Sequence, residues 1–332
     1  MAARRREKKK SGRSYAWRYR GRIVACVFVE VIIICALVIM IGWNKGVKEW
    51  FEQFEQPVLK EVDISGINSP NAILMQARGG KILGEINGEA QIYPASMTKI
   101  MTVILGIENF DDLDEKITLT NEMFSGLYEQ DATQAGFQPG EEVRVIDLLY
   151  GAMLPSGAEC CIALADTISG SEADFAELMN KKARKLGMEN THFCDSTGLH
   201  NPDHYSTVKD IAVLMKYCIK NDTFREIVET SRHSTGVTNI HPDGITYYST
   251  MFKNLSDPTV TGGKILGGKT GYTSEAGHCL VSFAEIEGRE YIFVSAGASG
   301  ADGNTIPHIQ DAVTVYNRVG AAVEAKMNDN NK

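Results

Sequence analysis

The sequence predicts an α+β fold: one antiparallel sheet flanked by helices, a mostly helical insertion beside it, and one transmembrane helix ahead of it. Three observations carry this. Strand patterns lie early, at Ala72–Gln76 and Lys81–Ile86, and again late, at Lys269–Thr273, His278–Ile286 and Glu290–Ala298. Between them, apolar residues recur at helical spacing in four segments. Ahead of all of these, Ile23 to Trp43 is a 21-residue run with Glu30 as its only charge.

The chain divides sharply by charge. Residues 1–43 carry ten Lys and Arg against Glu7 and Glu30, a net of +8, and the remainder carries 24 basic and 40 acidic residues, a net of −16. About 20 apolar residues span a bilayer. The basic cluster sits on one flank only, which makes residues 1–22 a cytoplasmic head and places residues from 44 onward outside. A cleaved signal peptide would have a shorter apolar core and a small-x-small site, and Trp43-Asn44-Lys45 is not one. Residues 23–43 are therefore expected to remain as a signal anchor. A basic head directly before a span argues against a nucleic-acid arm. Glu30 would cost about 2.5–3.5 kcal/mol in the span, so it is either protonated or set against a partner helix.

Residues 44–67 read as a juxtamembrane stalk. Val47, Trp50, Phe51, Phe54 and Val58 share one helical face, which suits either an amphipathic helix or a plain stalk. The folded domain is expected over residues 68–326. It begins at the turn Asn68-Ser69-Pro70-Asn71, and the first two strands meet around Gly79-Gly80 as a hairpin. A helix follows Ser96, and residues 109–141 are polar and turn-rich. Helices are expected at Val145–Met153, Cys160–Thr167, Phe175–Leu186 and Val208–Ile219, the first broken at Leu154-Pro155-Ser156-Gly157 and the last opened by Thr207 and Asp210 as a capping box. A final helix is expected from Ile309 to Ala325, with residues 327–332 a frayed tail. The simplest packing joins the early hairpin and the late strands in one sheet, with Ser96 at the seam to the helical insertion.

Five cysteines, Cys160, Cys161, Cys194, Cys218 and Cys279, follow the span. Their number is odd, and their spacing fits neither a disulfide framework nor a zinc site. Cys160 and Cys161 lie in an apolar helical run and read as core.

The chemistry begins at Pro94-Ala95-Ser96-Met97-Thr98-Lys99. One helical turn puts Ser96 and Lys99 on the same face. A serine hydroxyl needs a base, and a lysine serves only where burial or a neighbouring cation lowers its pKa. The apolar residues from Ile100 to Ile107 predict such burial. Two further elements follow in order: Ser156-Gly157-Ala158 and Lys269-Thr270-Gly271.

With these three motifs the sequence resembles the penicillin-binding serine peptidases, and more closely the low-molecular-mass D-alanyl-D-alanine carboxypeptidases. The resemblance covers about Asn68 to Ala298 and includes context: Tyr93 to Thr102, Cys194-Asp195-Ser196-Thr197-Gly198-Leu199, and Gly268-Lys269-Thr270-Gly271-Tyr272-Thr273. It implies a β-lactamase-like fold, no cofactor and no metal. It implies a peptidoglycan stem peptide ending in D-Ala-D-Ala as substrate and β-lactams as covalent inhibitors. Ser96 would be the nucleophile, Lys99 its base, and Ser156 the proton relay to the leaving group. Lys269 would supply positive charge, Thr270 would bind the terminal carboxylate, and the N–H groups of Ser96 and Tyr272 would form the oxyanion hole. Gly271 would let the strand edge approach the substrate.

The sequence departs from the family pattern twice. Ala158 stands where the second motif usually has asparagine; losing one hydrogen bond there would slow acylation by about 2- to 13-fold. Many relatives have an arginine beyond the third motif, and residues 290–317 contain none. Carboxylate binding would then rest on Lys269, Thr270 and Lys264.

Other readings are weaker. Gly263 to Thr270 matches G-x-x-x-x-G-K-[ST], but that phosphate loop needs a helix after it and Gly271-Tyr272-Thr273 reads as strand. His200, Asp203 and His204 surround a proline and do not have zinc-ligand spacing. No Glu-x-x-Leu-Asn of a class A β-lactamase occurs between Ser156 and Lys269. A non-catalytic scaffold that binds cell wall is the rival from another class, supported by Ala158 and opposed by the intact Ser96, Lys99 and Lys269.

Overall fold

The computed structural model describes residues 59–255, 257–300 and 306–330. The basic head, the expected span at 23–43 and the stalk up to residue 58 lie outside them. Among the described residues no helix is long and apolar enough to cross a membrane.

A six-stranded antiparallel sheet forms the centre. Its strands are β1 (Asn71–Gln76), β2 (Ile82–Ile86), β7 (Thr259–Val260), β8 (Gly263–Thr273), β9 (Gly277–Ile286) and β10 (Arg289–Ala298), in the order β2-β1-β10-β9-β8-β7. The early hairpin and late strands thus join as expected, through the register Asn71↔Ala296 to Gln76↔Tyr291. Strand β8 is longer than its expected core at Lys269–Thr273 and continues straight through Gly271-Tyr272-Thr273. No helix follows Lys269, so the phosphate-loop geometry is not formed.

The helices between β2 and β7 are α1 (Lys99–Asn109), α2 (Val145–Met153), α3 (Ala158–Ser169), α4 (Glu172–Leu186), α5 (Val208–Cys218), α6 (Asp222–Glu229) and α7 (Thr250–Asn254). Local chemistry sets their ends. Ser171 accepts a hydrogen bond from the Asp174 N–H at the start of α4, and Gly187 closes it in the left-handed conformation. Thr207 accepts from the Asp210 N–H at the start of α5, as its sequence predicts. The polar stretch 109–141 with the residues just after it, and the residues after α6, also hold short strands. These pair as β3 (Lys116–Thr118) with β4 (Glu142–Arg144), and β5 (Arg232–Ser234) with β6 (Thr246–Tyr248).

The sheet separates two apolar cores. Alternation along a strand sends Ile73 to the helical side with Ile100, Val103, Leu149 and Phe175, and sends Leu74 to the other side with Phe293, Val315 and Val319. The second core is covered by the last helix, α8 (Pro307–Asn330), which continues past the Met327 where fraying was expected. Leu59, Val62 and Ile64 are buried in the same core, and the Val62 N–H donates to Leu83 O at 2.7 Å. The folded unit therefore includes residues expected to belong to the stalk: their apolar side chains have a sheet face to cover.

A buried tyrosine ties α8 to the sheet. The Tyr316 hydroxyl accepts from the Phe293 N–H at 3.1 Å and lies 3.1 Å from Ser282 Oγ. Tyr316→Phe leaves both without this partner. We expect it to lower unfolding stability by about 1–3 kcal/mol, measured by urea titration of the full chain.

Candidate active site

Ser96 lies in a 3-10 turn, Ala95–Thr98, that leads directly into α1 at Lys99. Sequence spacing predicted a helix start there. It gave no sign of the strained residue before the serine: Ala95 has φ +47°. Two glycines hold this turn in place. A Cβ on Gly198 (φ +81°) would sit 1.9 Å from Ala95 O, so only glycine fits. A Cβ on Gly271 would lie 3.0 Å from Ser96 N and 3.1 Å from Ala95 Cβ. Strand β8 can thus pass directly alongside the serine's backbone.

Ser156 comes from the break between α2 and α3 and also has a positive φ, +74°. Fold and turns together bring four side chains into a row. Lys99 Nζ donates to Ser96 Oγ at 3.0 Å, Ser156 Oγ donates to Ser96 Oγ at 3.0 Å, and Lys269 Nζ donates to Ser156 Oγ at 3.0 Å. Lys99 Nζ also donates to Thr197 O at 2.5 Å, and Lys269 Nζ to Thr270 O at 2.9 Å. Of the residues singled out in the sequence, Ser96, Lys99, Ser156, Lys269 and Thr270 are joined directly, Gly271 packs on the turn, and Tyr272 stands 61% exposed at the rim.

The electrostatics follow from burial. Lys99 and Lys269 are 3% and 1% exposed. Burial lowers the pKa of Lys99. Burial first, and then the charge of Lys99, lowers that of Lys269 further. Two ammonium groups bridged by two hydroxyls in one dry space repel each other, so loss of one proton is favoured. A serine with a neutral amine in reach can be deprotonated as it attacks a carbonyl.

A second network supports the row. Asp195 accepts from the N–H and hydroxyl of Thr197 at 2.8 and 2.7 Å and from the Gly198 N–H at 2.6 Å. Its other oxygen faces His204 Nδ1 at 3.0 Å, and His204 Nε2 meets Thr98 Oγ1 at 2.9 Å. Asp195 therefore fixes the loop whose Thr197 carbonyl holds Lys99, and His204 links it to the residue beside that lysine. The segment Cys194–Leu199 was visible in the sequence only as family context; its contacts depend on tertiary placement. His204, weighed above as a metal ligand, is committed to these bonds. Among the described residues no group of three His, Cys, Asp or Glu could hold a metal ion.

A cavity of about 530 Å³ opens above the row, lined by Ser96, Ser156, Thr270, Gly271 and Tyr272 among others. Thr250, whose hydroxyl is 2.7 Å from that of Thr270, also lines it, as do His278 and His308. None of these three stands in a motif, and the sequence offered no signal for them. Lys264 is an exposed residue further back on β8 and does not line the cavity. Ala158 is 2% exposed, and its N–H is taken by Thr133 O at 2.8 Å.

A catalytic-type serine, two buried lysines and a sheet-and-helix frame of this topology define the class of penicillin-binding serine peptidases. The sequence profile of the peptidase S11 family, D-alanyl-D-alanine carboxypeptidase, matches residues 58–300. The chain belongs to this family. It is 35% identical over 231 residues to D-alanyl-D-alanine carboxypeptidase DacF of Bacillus subtilis, covering 69% of this chain and 57% of that one. It is 37% identical over 205 residues to a D-alanyl-D-alanine carboxypeptidase of Streptomyces strain K15, covering 59% of this chain and 69% of that one. The crystal structure of the Streptomyces K15 DD-transpeptidase superposes with a TM-score of 0.69 at 29% identity, over 79% of this chain and 100% of that one. The match spans less than two thirds of the Bacillus protein and of DacC from Escherichia coli, of which it covers 58%.

The Asp195 network has a pH signature. Burial raises this carboxyl, but the His204 and Thr197 hydrogen bonds outweigh it and hold the pKa down to about 2. A depressed carboxylate stabilises the fold fully above the ordinary range near pH 4 and loses that contribution as pH falls towards 2. We expect wild-type stability to fall by on the order of 2 kcal/mol across that window from this group. The stability deficit of Asp195→Asn should be largest at neutral pH and shrink as pH falls towards 2, checked by urea titration at stepped pH.

Proposed function

We propose that the chain is a serine-type D-Ala-D-Ala carboxypeptidase that removes the terminal D-alanine from peptidoglycan stem peptides and is acylated by penicillins at the same serine. The observation that carries this is the unbroken row Lys99–Ser96–Ser156–Lys269, each link 3.0 Å long. A scaffold without catalysis has no use for two lysines held in a dry pocket at the cost of their desolvation.

Substrate would lie in the cavity along the free edge of β8, beyond Lys264, where β7 pairs only at Gly263 and Lys264. Its carboxylate would sit by Thr270, above Lys269. That negative charge favours the proton on Lys269 and so leaves Lys99 neutral. Ser96 Oγ attacks the carbonyl between the two D-alanines as Lys99 takes its proton. The N–H groups of Ser96 and Tyr272 receive the oxyanion; each such donor contributes about 10²–10³ in rate. The proton that Lys99 took passes by way of the Ser156 hydroxyl to the departing amine, which leaves as D-alanine, so Ser156 keeps its hydroxyl and Lys99 is neutral again. Water, deprotonated by Lys99, then attacks the acyl-enzyme, and its oxygen remains on the shortened peptide as Ser96 recovers its proton.

The same reading covers the N-terminus: residues 23–43 anchor the protein in the cell membrane, residues 1–22 stay in the cytoplasm, and the catalytic domain works outside on the cell wall. The lopsided basic flank and the 21-residue apolar run support it.

Fluorescent penicillin tests the site. Wild type should form a covalent adduct that maps to Ser96, and Ser96→Ala should form none while keeping its fold; labelling of that variant at another serine would move the nucleophile. Lys99→Arg should slow acylation by about 10²–10⁴-fold, because a guanidinium cannot act as base. In wild type the acylation rate should rise with pH, with its midpoint below that of free lysine, since burial favours the neutral amine. Protease added to cells stripped of their wall should digest residues 44–332 and leave the basic head protected; a soluble mature protein starting near Asn44 would refute the anchor.

A further inference from the structure

The Ser156 hydroxyl is the link between Ser96 and Lys269, and its place is set by the backbone around it. Ser156 stands in the break between α2 and α3 with φ +74°, a conformation that residues other than glycine rarely hold. Two hydrogen bonds just after it fix the chain. The Gly157 N–H donates to Gly151 O and the Ala158 N–H to Thr133 O, each at 2.8 Å. The first acceptor lies in α2. The second lies in a loop that lines the cavity through Asp131 and Thr133. Whatever fixes this loop therefore fixes Ser156 from that side.

Glu159 does so. It is fully buried in the first turn of α3, and its Oε1 accepts the N–H groups of Ala135 at 2.6 Å and Gly136 at 2.9 Å. Burial raises its pKa, against the pull of the N–H groups of Gly136, Glu159 itself, Ala135 and Phe137. The positive end of the helix also favours a carboxylate there. The other oxygen, Oε2, has no hydrogen-bond partner and packs against residue 157. A Cβ on Gly157 would lie 3.0 Å from Oε2 and 2.7 Å from the Ala135 methyl. The carboxyl is thus wedged between the loop and the residue that follows Ser156. Glu159 does not itself line the cavity, so it acts on the reaction only through the groups it holds.

We propose that Glu159 is a positioning residue for the proton relay: by clamping the loop at Ala135 and Gly136 to the start of α3, it keeps the Ser156 hydroxyl 3.0 Å from both Ser96 Oγ and Lys269 Nζ. The inference rests on the carboxypeptidase reading above, in which a proton reaches the departing amine by way of Ser156. An amine departs only as it gains that proton, because its anion is too basic to leave. A thiolate departs with the electron pair of the broken C–S bond and needs no proton. Ser96 gives its own proton to Lys99 in both cases. A displaced Ser156 therefore harms cleavage of an amide and spares that of a thiolester. The charge of Glu159 also reaches Lys99, and a loss by that route would slow both substrates alike.

The test compares kcat/KM, in the full chain, on a peptide ending in D-Ala-D-Ala with that on the same peptide in which sulfur replaces the nitrogen of the last residue. Glu159→Ala should lose about 10- to 100-fold more on the amide than on the thiolester. Glu159→Gln, which keeps a carbonyl oxygen for both loop N–H groups, should recover most of that loss. Should Glu159→Ala fail to fold, Glu159→Asp, whose carboxyl is withdrawn by one methylene, carries the same expectation. Equal losses on amide and thiolester, or no loss on the amide, would overturn the assignment. Ser156→Ala separates the possible failures, since removing the relay hydroxyl must itself produce the amide-specific loss. If it does not, or if wild type cleaves neither substrate, the reading above fails and takes this one with it. If Ser156→Ala shows that loss and the Glu159 variants do not, only the Glu159 assignment fails.

Discussion

Two buried lysine side chains joined through a hydrogen-bonded pair of serine hydroxyls are the constraint on which this structure turns. An ammonium group in a dry interior is costly unless it is paired or hydrogen-bonded. Here neither lysine has a carboxylate partner in the row. Each instead spends one donor on a backbone carbonyl, Thr197 O for Lys99 and Thr270 O for Lys269, and another on a serine. This arrangement stabilises one charge in the row far better than two. A row that holds one proton fewer than its full complement is a base waiting for a substrate.

The architecture follows from keeping that row assembled. Its members come from α1, from the α2–α3 break and from β8, and no local segment could bring them together. The sheet anchors β8 through ten residues of register with β9, from Gly263↔Ile286 to Thr273↔Gly277 with one bulge. The helical core fixes α1 by burying every residue from Lys99 to Gly106. The two meet where Gly271 lets β8 approach the backbone of Ala95 and Ser96, Gly198 lets its own loop approach the same turn, and a methyl group at either would displace that turn. The strained φ angles of Ala95 and Ser156 fall at this same seam. Strain of this kind persists only where surrounding packing over-determines it.

That the early hairpin and the late strands share one sheet was legible from the sequence, as were the three motifs, because period-2 patterns, a Gly-Gly turn and short motifs are local signals; the order of the strands was not. The hydrogen-bonded start of α5 at Thr207 was legible for the same reason. What escaped was set by tertiary contact. Leu59, Val62 and Ile64 read as stalk because three spaced apolar residues have no period of their own; they are core because one face of the sheet needs cover. Helix α8 runs to Asn330 although its last turns are polar. His278 and His308 are thirty residues apart in sequence, and nothing near either one announces that their rings will stack in the wall of the cavity that Ser96 lines.

The position of Ala158 shows how a motif and its function can separate. Its family pattern predicts an amide reaching into the site, yet the residue here is buried, begins α3, and gives its N–H to Thr133 O. The residue after it, Glu159, has taken over the local polar work: its carboxylate accepts the N–H groups of Ala135 and Gly136 at 2.6 and 2.9 Å, holding the loop that borders the cavity. The wall on that side is thus secured from behind by a buried carboxyl whose pKa burial raises. Hydroxyls of Ser96, Ser156, Thr250 and Thr270 are among the polar groups that line the cavity, with the lysines beneath them. A site built this way has no polar side chain at residue 158 and still holds the Lys99–Ser96–Ser156–Lys269 row unbroken.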